Sequence, residues 1–387
     1  MNTRYVAFLT TRLALVVTGF VALTFFPAHP VESWMGLSFP DWPWIDGWVR
    51  WDSFWYESIV DPTQPYLPPG MSNANFFPLY SGISWIASLP FRPFAATDHA
   101  FYFGALIVSS ASFLLGLKAV ERFTRTIAGD EVATRTIWLI AIFPFSFFFT
   151  AVYSDALYFC LCAWSLTLAV EQKWYGACAL AALAMLTRIP GVALLPALGL
   201  EYLRQHKWRL GPTPRAATCA AILALGPVLV ASYYQWRYGH PLEFIHARQV
   251  GWNRASGLAG YVRDWNYFFE TPIFACNGVA DCIKEFGPTR ALLGTIYLAL
   301  IPTSIVLVVR SAKTLGVAAT TWALVSILLA LPNGFDGVGR FTLVLFPVFI
   351  ALAMWLRQRT TFLIACALSL PLLLLFFAQF ARWRQVL

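Results

Sequence analysis

The feature that most constrains this chain is a series of apolar runs separated by short breaks. An α-helix needs about 20 apolar residues to cross the roughly 30 Å hydrocarbon core of a bilayer. The candidate runs lie near residues 5–26, 99–119, 136–150, 151–170, 174–187, 191–202, 216–234, 291–309, 315–331, 341–355 and 361–380. The pattern predicts an all-α, polytopic transmembrane protein with about eleven spans, between ten and twelve, as one domain over residues 1–387.

Composition agrees with a chain embedded in lipid. Hydrophobic residues make up 59% of the 387 positions and charged residues only 12%, whereas soluble domains carry about 25% charged residues. The formal charge of +8 would suggest nucleic acid for a soluble protein, but lysines and arginines concentrate in the breaks between apolar runs. We interpret them as topology signals, and expect membrane lipids rather than nucleic acid as partners.

The orientation depends on residues 75–89, a short apolar stretch that contains Pro78 and is closed by Pro90. If it re-enters rather than crosses, all the basic clusters share the side of Arg4, and the N-terminus is cytoplasmic. We favour that topology. The long loops at about 28–75 and 235–289 then lie on the outer face.

The first outer loop is rich in tryptophan and acidic residues, with Arg50 as its one base. Indole rings suit both the membrane interface and the flat faces of sugars, and the two interpretations are open for each tryptophan. In the second loop, Cys276 and Cys282 predict a disulfide in an oxidising compartment. The other five cysteines lie in apolar runs, where we expect them to pack.

Ionisable residues beside apolar runs are the strongest functional signal. Placing such a group at bilayer depth costs about 2.5 kcal/mol or more. Asp155, Arg188 and Arg340 are such residues, and the chosen topology puts all three at outer helix ends. Each one alone could be an interfacial residue that extends its charge into water. The convergence of three on one face favours a site.

Five segments in the same order resemble the PIG-V-like mannosyltransferases, whose eukaryotic members act in GPI-anchor synthesis. They are RWDSFWYESI at 50–59 with NFFPLY at 75–80, PFSFFFTAVYSDAL at 144–157, TRIPG at 187–191, GHPLEF at 239–244 with Gln249 and Trp252, and GRF at 339–341 leading into Phe346-Pro347. Trp55 replaces a histidine of the eukaryotic motif, and Pro190 replaces an asparagine. These departures suggest an acceptor other than a GPI precursor.

The resemblance implies a GT-C fold and an enzyme that transfers a sugar, with mannose favoured, from a polyprenyl-phosphate carrier with inversion. The acceptor would be a glycolipid or an envelope glycan on the outer face, and the compact loops favour a bacterial plasma membrane. A transporter or flippase for lipid-linked sugars is the alternative. It would need similar aromatic and basic residues, but the sequence shows no inverted repeat that we detect.

Such a transfer needs a general base and a clamp for phosphate. Asp52 is the predicted base, because it carries the family motif and a carboxylate beside buried indoles can become more basic. Asp46 and Glu57 compete for that role. Alternatively, Asp52 merely pairs with Arg50 or caps the helix that follows.

Arg340 is the predicted phosphate ligand, since a guanidinium binds phosphate oxygens in a two-point fork. Second-rank phosphate ligands are Arg188, Arg248 and His240. The residues predicted to contact sugar or acceptor are Trp51, Trp55, Tyr56, Tyr153 and Asp155. Tyr153 and Asp155 alternatively hold Arg188, by charge pairing. No cluster demands a metal, although a divalent ion shared by two acids and phosphate stays open. No glycine-rich loop indicates a nucleotide-sugar donor.

Overall fold

A computed structural model describes residues 3–26, 39, 42–60, 72–209, 213–251, 288–330, 337–384 and 386. Within these ranges the regular structure is entirely helical, as predicted. The proposed disulfide partners Cys276 and Cys282 lie outside the described residues. Of the other five cysteines, four are buried and Cys366 is half-buried, and all five carry free thiols, which agrees with packing roles.

The described helices are numbered here in chain order. They are α1 (Thr3–Phe25), α2 (Pro43–Asp46), α3 (Ser53–Val60), α4 (Pro78–Ser88), α5 (Thr97–Ala128), α6 (Asp130–Ile142), α7 (Asp155–Val170), α8 (Trp174–Met185), α9 (Leu194–Gln205), α10 (Pro214–Tyr238), α11 (Glu243–Gly251), α12 (Pro288–Arg310), α13 (Ala312–Ala330), α14 (Val338–Val344), α15 (Phe346–Trp355) and α16 (Arg359–Ala381). Short 3-10 turns lie at Asn73–Asn75, Leu89–Phe91, Ser146–Phe149 and Ile189–Ala193.

Every predicted apolar run corresponds to a helix, but the helices differ in length. Six of those described, in α1, α5, α10, α12, α13 and α16, are long and apolar enough to cross a membrane, and α14 with α15 forms a seventh candidate bent by 77°. The helices α6 to α9 are shorter because irregular turns interrupt the apolar sequence. The chain is thus an integral membrane protein whose helices are broken near Phe145, Arg188 and Leu345.

The bundle has two chemically distinct ends. One, which we call the basic end, carries three contacts: Arg4 with Glu121, Arg122 with Glu171, and Arg135 with the Arg357 carbonyl oxygen. The helices α7, α8, α15 and α16 each have one terminus there. Their other ends lead to a second group of polar residues, which includes Asp155 and Arg188, and we call this the site end.

Arg12 is a charged residue inside α1, the first apolar run, and its hydrogen bonds account for its burial there. Its side chain is buried and donates to the Ser146 carbonyl oxygen at 2.8 Å and to the Ser146 hydroxyl at 2.7 Å. It also donates to Thr150 at 3.0 Å and to the Ala141 carbonyl oxygen at 3.1 Å. Arg12 therefore satisfies backbone groups that the break between α6 and α7 leaves without helical partners.

Helices α4 and α5 pack as an antiparallel pair with closely spaced backbones. Tyr80 bonds to Ser109 at 2.8 Å, while a Cβ atom on Gly104 would lie only 2.4 Å from the Ser84 carbonyl oxygen. Small residues permit this close approach between membrane helices. With eleven residues, α4 is about 16 Å long, which is too short to cross a bilayer alone.

Gly104→Ala is expected to destabilise the protein by about 1–3 kcal/mol, because the new methyl group clashes with backbone atoms of α4. The matched control is Gly82→Ala, since a Cβ there would meet no atom within 4 Å. That change should raise stability by about 0.5–1 kcal/mol through helix propensity. Thermal unfolding of both variants in detergent measures the difference. Equal midpoints would contradict this packing.

Candidate active site

Four charged side chains form one continuous chain of ion pairs at the site end. Arg340 donates from Nη1 to Oδ2 of Asp52 at 2.9 Å and from Nη2 to Oδ2 of Asp155 at 3.0 Å. Arg188 donates from Nη1 to Oδ1 of Asp155. Asp155 is fully buried, whereas the side chains of Asp52, Arg188 and Arg340 keep exposures of 17%, 15% and 11%. Two acids and two bases thus alternate, with no net formal charge.

Each member of this ion-pair chain lies at an irregular point of the backbone. Asp155 is the first residue of α7, where unpaired backbone N–H groups favour a carboxylate. Arg188 directly precedes the 3-10 turn Ile189–Ala193, and Asp52 lies in the turn before α3. Arg340 is in the first turn of α14, after Gly337 with its left-handed φ of 77°. The broken helices therefore deliver the charged residues to one place.

Arg50 is engaged away from Asp52, which corrects one alternative from the sequence. Arg50 is buried, pairs with Asp46 at 2.5 Å and donates to the Ala381 carbonyl oxygen at 2.8 Å. Burial lowers the pKa of the Arg50 guanidinium, and the Asp46 carboxylate opposes that effect. Between them Trp51 adopts a left-handed φ of 52°, a costly conformation for a large side chain. This kink separates Arg50 from Asp52.

The two carboxylates that compete with Asp52 lie in different surroundings. Asp46 is 1% exposed and holds Arg50, and Glu57 is 3% exposed and accepts a hydrogen bond from Tyr102. Both carboxylates are therefore buried and already bonded to a neighbouring side chain. Asp52 is the most exposed of the three.

Aromatic side chains line the ion-pair chain. The Arg340 guanidinium lies 4.4 Å from the ring centroid of Tyr153 and 5.0 Å from that of Phe148. The Tyr153 hydroxyl donates to the Arg50 carbonyl oxygen at 3.1 Å and accepts from the Asp52 backbone at 3.3 Å. Tyr153 thus fixes the turn that presents Asp52, while its ring supports the Arg340 charge.

Tyr56 lies one turn into α3 and reaches the same region. Its hydroxyl is 2.9 Å from that of Ser154, the residue before Asp155. Burial raises the pKa of the Tyr56 phenol, with smaller opposing effects from Arg188 and Arg340. Tyr56 therefore stays protonated at neutral pH and is able to donate a hydrogen bond.

The predicted tryptophan contacts occupy two different environments. Trp55 is 3% exposed and stacks on Phe76, with ring centroids 5.7 Å apart. The Trp55 ring therefore packs in the interior rather than presenting an open face to a sugar. Trp51 is half-buried, and its indole N–H has no hydrogen-bond partner among the described residues. Trp51 contacts Trp383 edge-on at 5.6 Å, next to Asp52 in sequence.

One second-rank phosphate ligand, His240, has no described contact with this ion-pair chain. His240 packs against His246, with ring centroids 4.6 Å apart. Arg248 belongs to α11, but its side chain lies outside the described residues. Of the predicted phosphate ligands, Arg188 and Arg340 are the ones that meet Asp52 and Asp155.

Sequence reasoning missed several residues that build this site. Trp383 stacks on Phe54 at 6.1 Å and lies 4.7 Å from the Arg50 guanidinium, yet it follows the last apolar run and matches no motif segment. Phe148 lies among other apolar residues, and nothing in the sequence indicates that its ring contacts Arg340. Ser154 had a signal, because it lies between Tyr153 and Asp155 in a motif segment.

Comparison with known proteins gives the fold. No protein-family profile matches the sequence, and no curated protein matches it by sequence. The structure is similar to the Archaeoglobus fulgidus oligosaccharyltransferase in a complex with Zn and sulfate, with a TM-score of 0.52 and 14% identity. That match covers 95% of this chain and 53% of the oligosaccharyltransferase, so the chain spans about half of that enzyme's length. The shared architecture confirms the predicted GT-C-type fold.

A second match is ArnT from Cupriavidus metallidurans bound to undecaprenyl phosphate, with a TM-score of 0.49 and 14% identity. It covers 94% of this chain and 62% of ArnT.

Asp155→Asn is expected to destabilise the protein by about 3–5 kcal/mol, because it leaves Arg188 and Arg340 with one carboxylate between them in a buried site. The matched control is Asp130→Asn, which breaks an ion pair with Arg125 in which the side chains are 85% and 49% exposed. Solvent screens that pair, so little change is expected there. Thermal unfolding in detergent compares the two, and similar losses would contradict the importance of the buried ion-pair chain.

Proposed function

We propose that this protein transfers a sugar from a polyprenyl-phosphate carrier to an acceptor hydroxyl, with Asp52 as general base and Arg340 as ligand of the donor phosphate. The observation that carries the proposal is the position of Arg340, held between Asp52 and Asp155 with its Nε–H buried and unpaired among the described residues. The fold shared with an oligosaccharyltransferase, an enzyme of glycosyl transfer by its name, supports the proposal.

In the absence of donor, Asp52 and Arg340 neutralise each other. A donor phosphate carries a stronger negative charge than one carboxylate, and a guanidinium binds its oxygens through two parallel N–H bonds. Binding of phosphate to Nη1 and to the second N–H of Nη2, which form one edge of the guanidinium, would therefore displace Asp52. The unpaired Nε–H, on the other edge, would stay available to a further oxygen. Asp155 keeps its bonds to Arg188 and to Nη2, so the guanidinium stays oriented throughout the exchange.

Displacement from Arg340 would free Asp52 for chemistry. The acceptor hydroxyl gives its proton to Asp52, its oxygen forms a bond to the anomeric carbon, and the bond from that carbon to the phosphate oxygen breaks. The bond electrons leave with the polyprenyl phosphate, whose charge Arg340 stabilises. Attack opposite the leaving group inverts the anomeric centre.

The proposed side of reaction follows from the two ends of the bundle. The basic end carries Arg4, Arg122, Arg135 and Arg357, and arginines and lysines favour the cytoplasmic side. We therefore assign the site end to the outer face, in a bacterial plasma membrane. Lipid-linked donors that expose their sugar on that face would reach Asp52 without crossing the bilayer.

Mannose is the proposed sugar, and a glycolipid or envelope glycan the proposed acceptor, from the resemblance to PIG-V-like mannosyltransferases. Trp51 would contribute an indole face and an N–H donor next to Asp52. Tyr56 has its phenol beside Ser154, and the Tyr153 phenol lies against the backbone of Asp52. These groups would position the sugar hydroxyls, since aromatic faces and fixed hydroxyl groups suit carbohydrate rings.

Asp52→Asn is expected to abolish transfer of radiolabelled mannose from polyprenyl-phosphate mannose to a membrane lipid extract, because an amide cannot accept the acceptor's proton at neutral pH. The matched control is Glu57→Gln, a neighbouring carboxylate whose amide still accepts a hydrogen bond from Tyr102. Wild type and control should form the same labelled product. Loss in Glu57→Gln alone would move the base to Glu57, and movement of donor without a new glycosidic bond would indicate a transporter.

Arg340→Lys is expected to lower kcat/KM for the donor by on the order of 10²-fold, because an ammonium group cannot form a two-point fork to phosphate. Arg135→Lys at the basic end is the control, since the Arg135 side chain donates a hydrogen bond to the Arg357 carbonyl oxygen, away from the site end. Initial rates over a range of donor concentrations measure the effect. Equal kcat/KM in both variants would remove Arg340 from donor binding.

A further inference from the structure

Three metal-ligating side chains meet at the junction of α10 and α11, separate from the ion-pair chain. His240, Glu243 and His246 follow one another at intervals of three residues, and each offers one ligand atom within 4.8 Å of the others. Gly239, with a left-handed φ of 79°, ends α10 and turns the chain so that His240 faces the first turn of α11. The cluster is thus built by the turn and by one face of a helix.

The imidazole nitrogens have defined roles in this arrangement. The Leu242 backbone N–H donates to Nδ1 of His240 at 3.3 Å, so the ring proton is on Nε2 and Nδ1 carries the lone pair. A metal ion would take Nδ1 in place of this long hydrogen bond. Nδ1 of His246 lies 3.2 Å from Oε2 of Glu243, where a shared metal ion would replace the proton between them.

The ligand set selects the metal. Two imidazoles and one carboxylate suit zinc, which binds nitrogen and oxygen ligands at roughly 2.0–2.2 Å in tetrahedral geometry. Ligand atoms around such an ion are about 3.4 Å apart, so the widest separation in the cluster, which is at most 4.8 Å, has to shorten by up to about 1.4 Å. His240 and His246 are exposed, and rotation of their side chains is enough for this contraction.

Helix α11 packs against residues that lead to α3, so a metal ion bound at its first turn would stabilise that packing. Phe244 packs on Phe77 and Tyr234, with centroids 5.5 and 5.3 Å away. Tyr238, at the end of α10, donates to Asn73 at 2.8 Å, and Asn73 donates to the carbonyl oxygen of Ser58 in α3 at 2.9 Å. The junction of α10 and α11 is therefore connected to the short helix that begins after Asp52.

We propose that His240, Glu243 and His246 form a Zn²⁺ site that clamps α11 to the end of α10 and keeps one coordination position open. Three protein ligands leave the fourth position to water or to an oxygen ligand. The clamp fixes the turn at Gly239 and, through Tyr238 and Asn73, supports α3. This site does not depend on the reaction assigned to Asp52.

The test is calorimetric titration of Zn²⁺ into the full-length protein, purified in detergent with a tag free of histidine and treated with a chelator. Wild type is expected to bind one Zn²⁺, and His246→Asn and Glu243→Gln should each weaken binding more than about tenfold. His206→Asn is the matched control, an exposed histidine at the end of α9 that stacks on Tyr202 at 4.0 Å. It should bind as wild type does.

Cobalt gives an independent readout of the ligands. Co²⁺ bound by two histidines and a carboxylate should show d–d absorption without a thiolate charge-transfer band, and the absorption should disappear in His246→Asn. The site would be overturned by equal Zn²⁺ affinity in His246→Asn and His206→Asn, or by a thiolate band that assigns the metal to cysteines. Absence of stoichiometric binding in the wild type would do the same.

Discussion

The structure depends above all on the guanidinium of Arg340, which joins two carboxylates from distant parts of the sequence. Its bonds to Asp52 and Asp155 connect residues 288 and 185 positions apart, and so unite the loop before α3, the start of α7 and the first turn of α14. Charges this deeply buried are stable only when they are paired. Helices α14 and α15 are bent at Leu345, where Pro347 in the first turn of α15 prevents a continuous helix, and Arg340 lies on the α14 side of that bend.

Buried arginines divide here into two kinds. Arg12 donates to backbone carbonyl oxygens and to hydroxyl groups, and Arg50 donates mainly to backbone carbonyl oxygens. Both so stabilise breaks that a membrane helix otherwise leaves unsatisfied. Arg340 bonds to carboxylates alone among the described contacts and keeps its Nε–H unpaired. The N–H groups of the first kind bond to acceptors within the protein. The second kind keeps an N–H group that a ligand could accept from.

The sequence was sufficient for the fold class because apolar length is a direct requirement of the bilayer. Charge beside apolar runs is costly and stands out, and on that ground the sequence singled out Asp155, Arg188 and Arg340. The family motif singled out Asp52. Which charges pair with which depends on tertiary packing, and no periodicity predicts it. Asp52 was therefore open to pairing with its neighbour Arg50, which the left-handed turn at Trp51 prevents.

The same logic explains the missed contacts. Trp383 and Phe148 are ordinary apolar residues until the chain returns to bring them against Arg50 and Arg340. Glu243 and His246 are spaced for one helix face, but the spacing has meaning only once α11 is known to begin at Glu243 and Gly239 is known to turn His240 towards it. Turns between helices carry this information, and composition does not.

Helix α7 is held at both of its ends. Asp155 is bonded to Arg340 and Arg188 at one end, and Glu171, directly after the last turn, pairs with Arg122 at the other. A helix advances 1.5 Å and rotates 100° per residue, so inserting or deleting one residue would turn one of these acids away from its partner. The length of α7, about 24 Å, therefore sets the distance between these two ion pairs. A change of three or four residues, about one turn, would be needed to bring both acids back to their partners, so this spacing limits how α7 can adapt to membrane thickness.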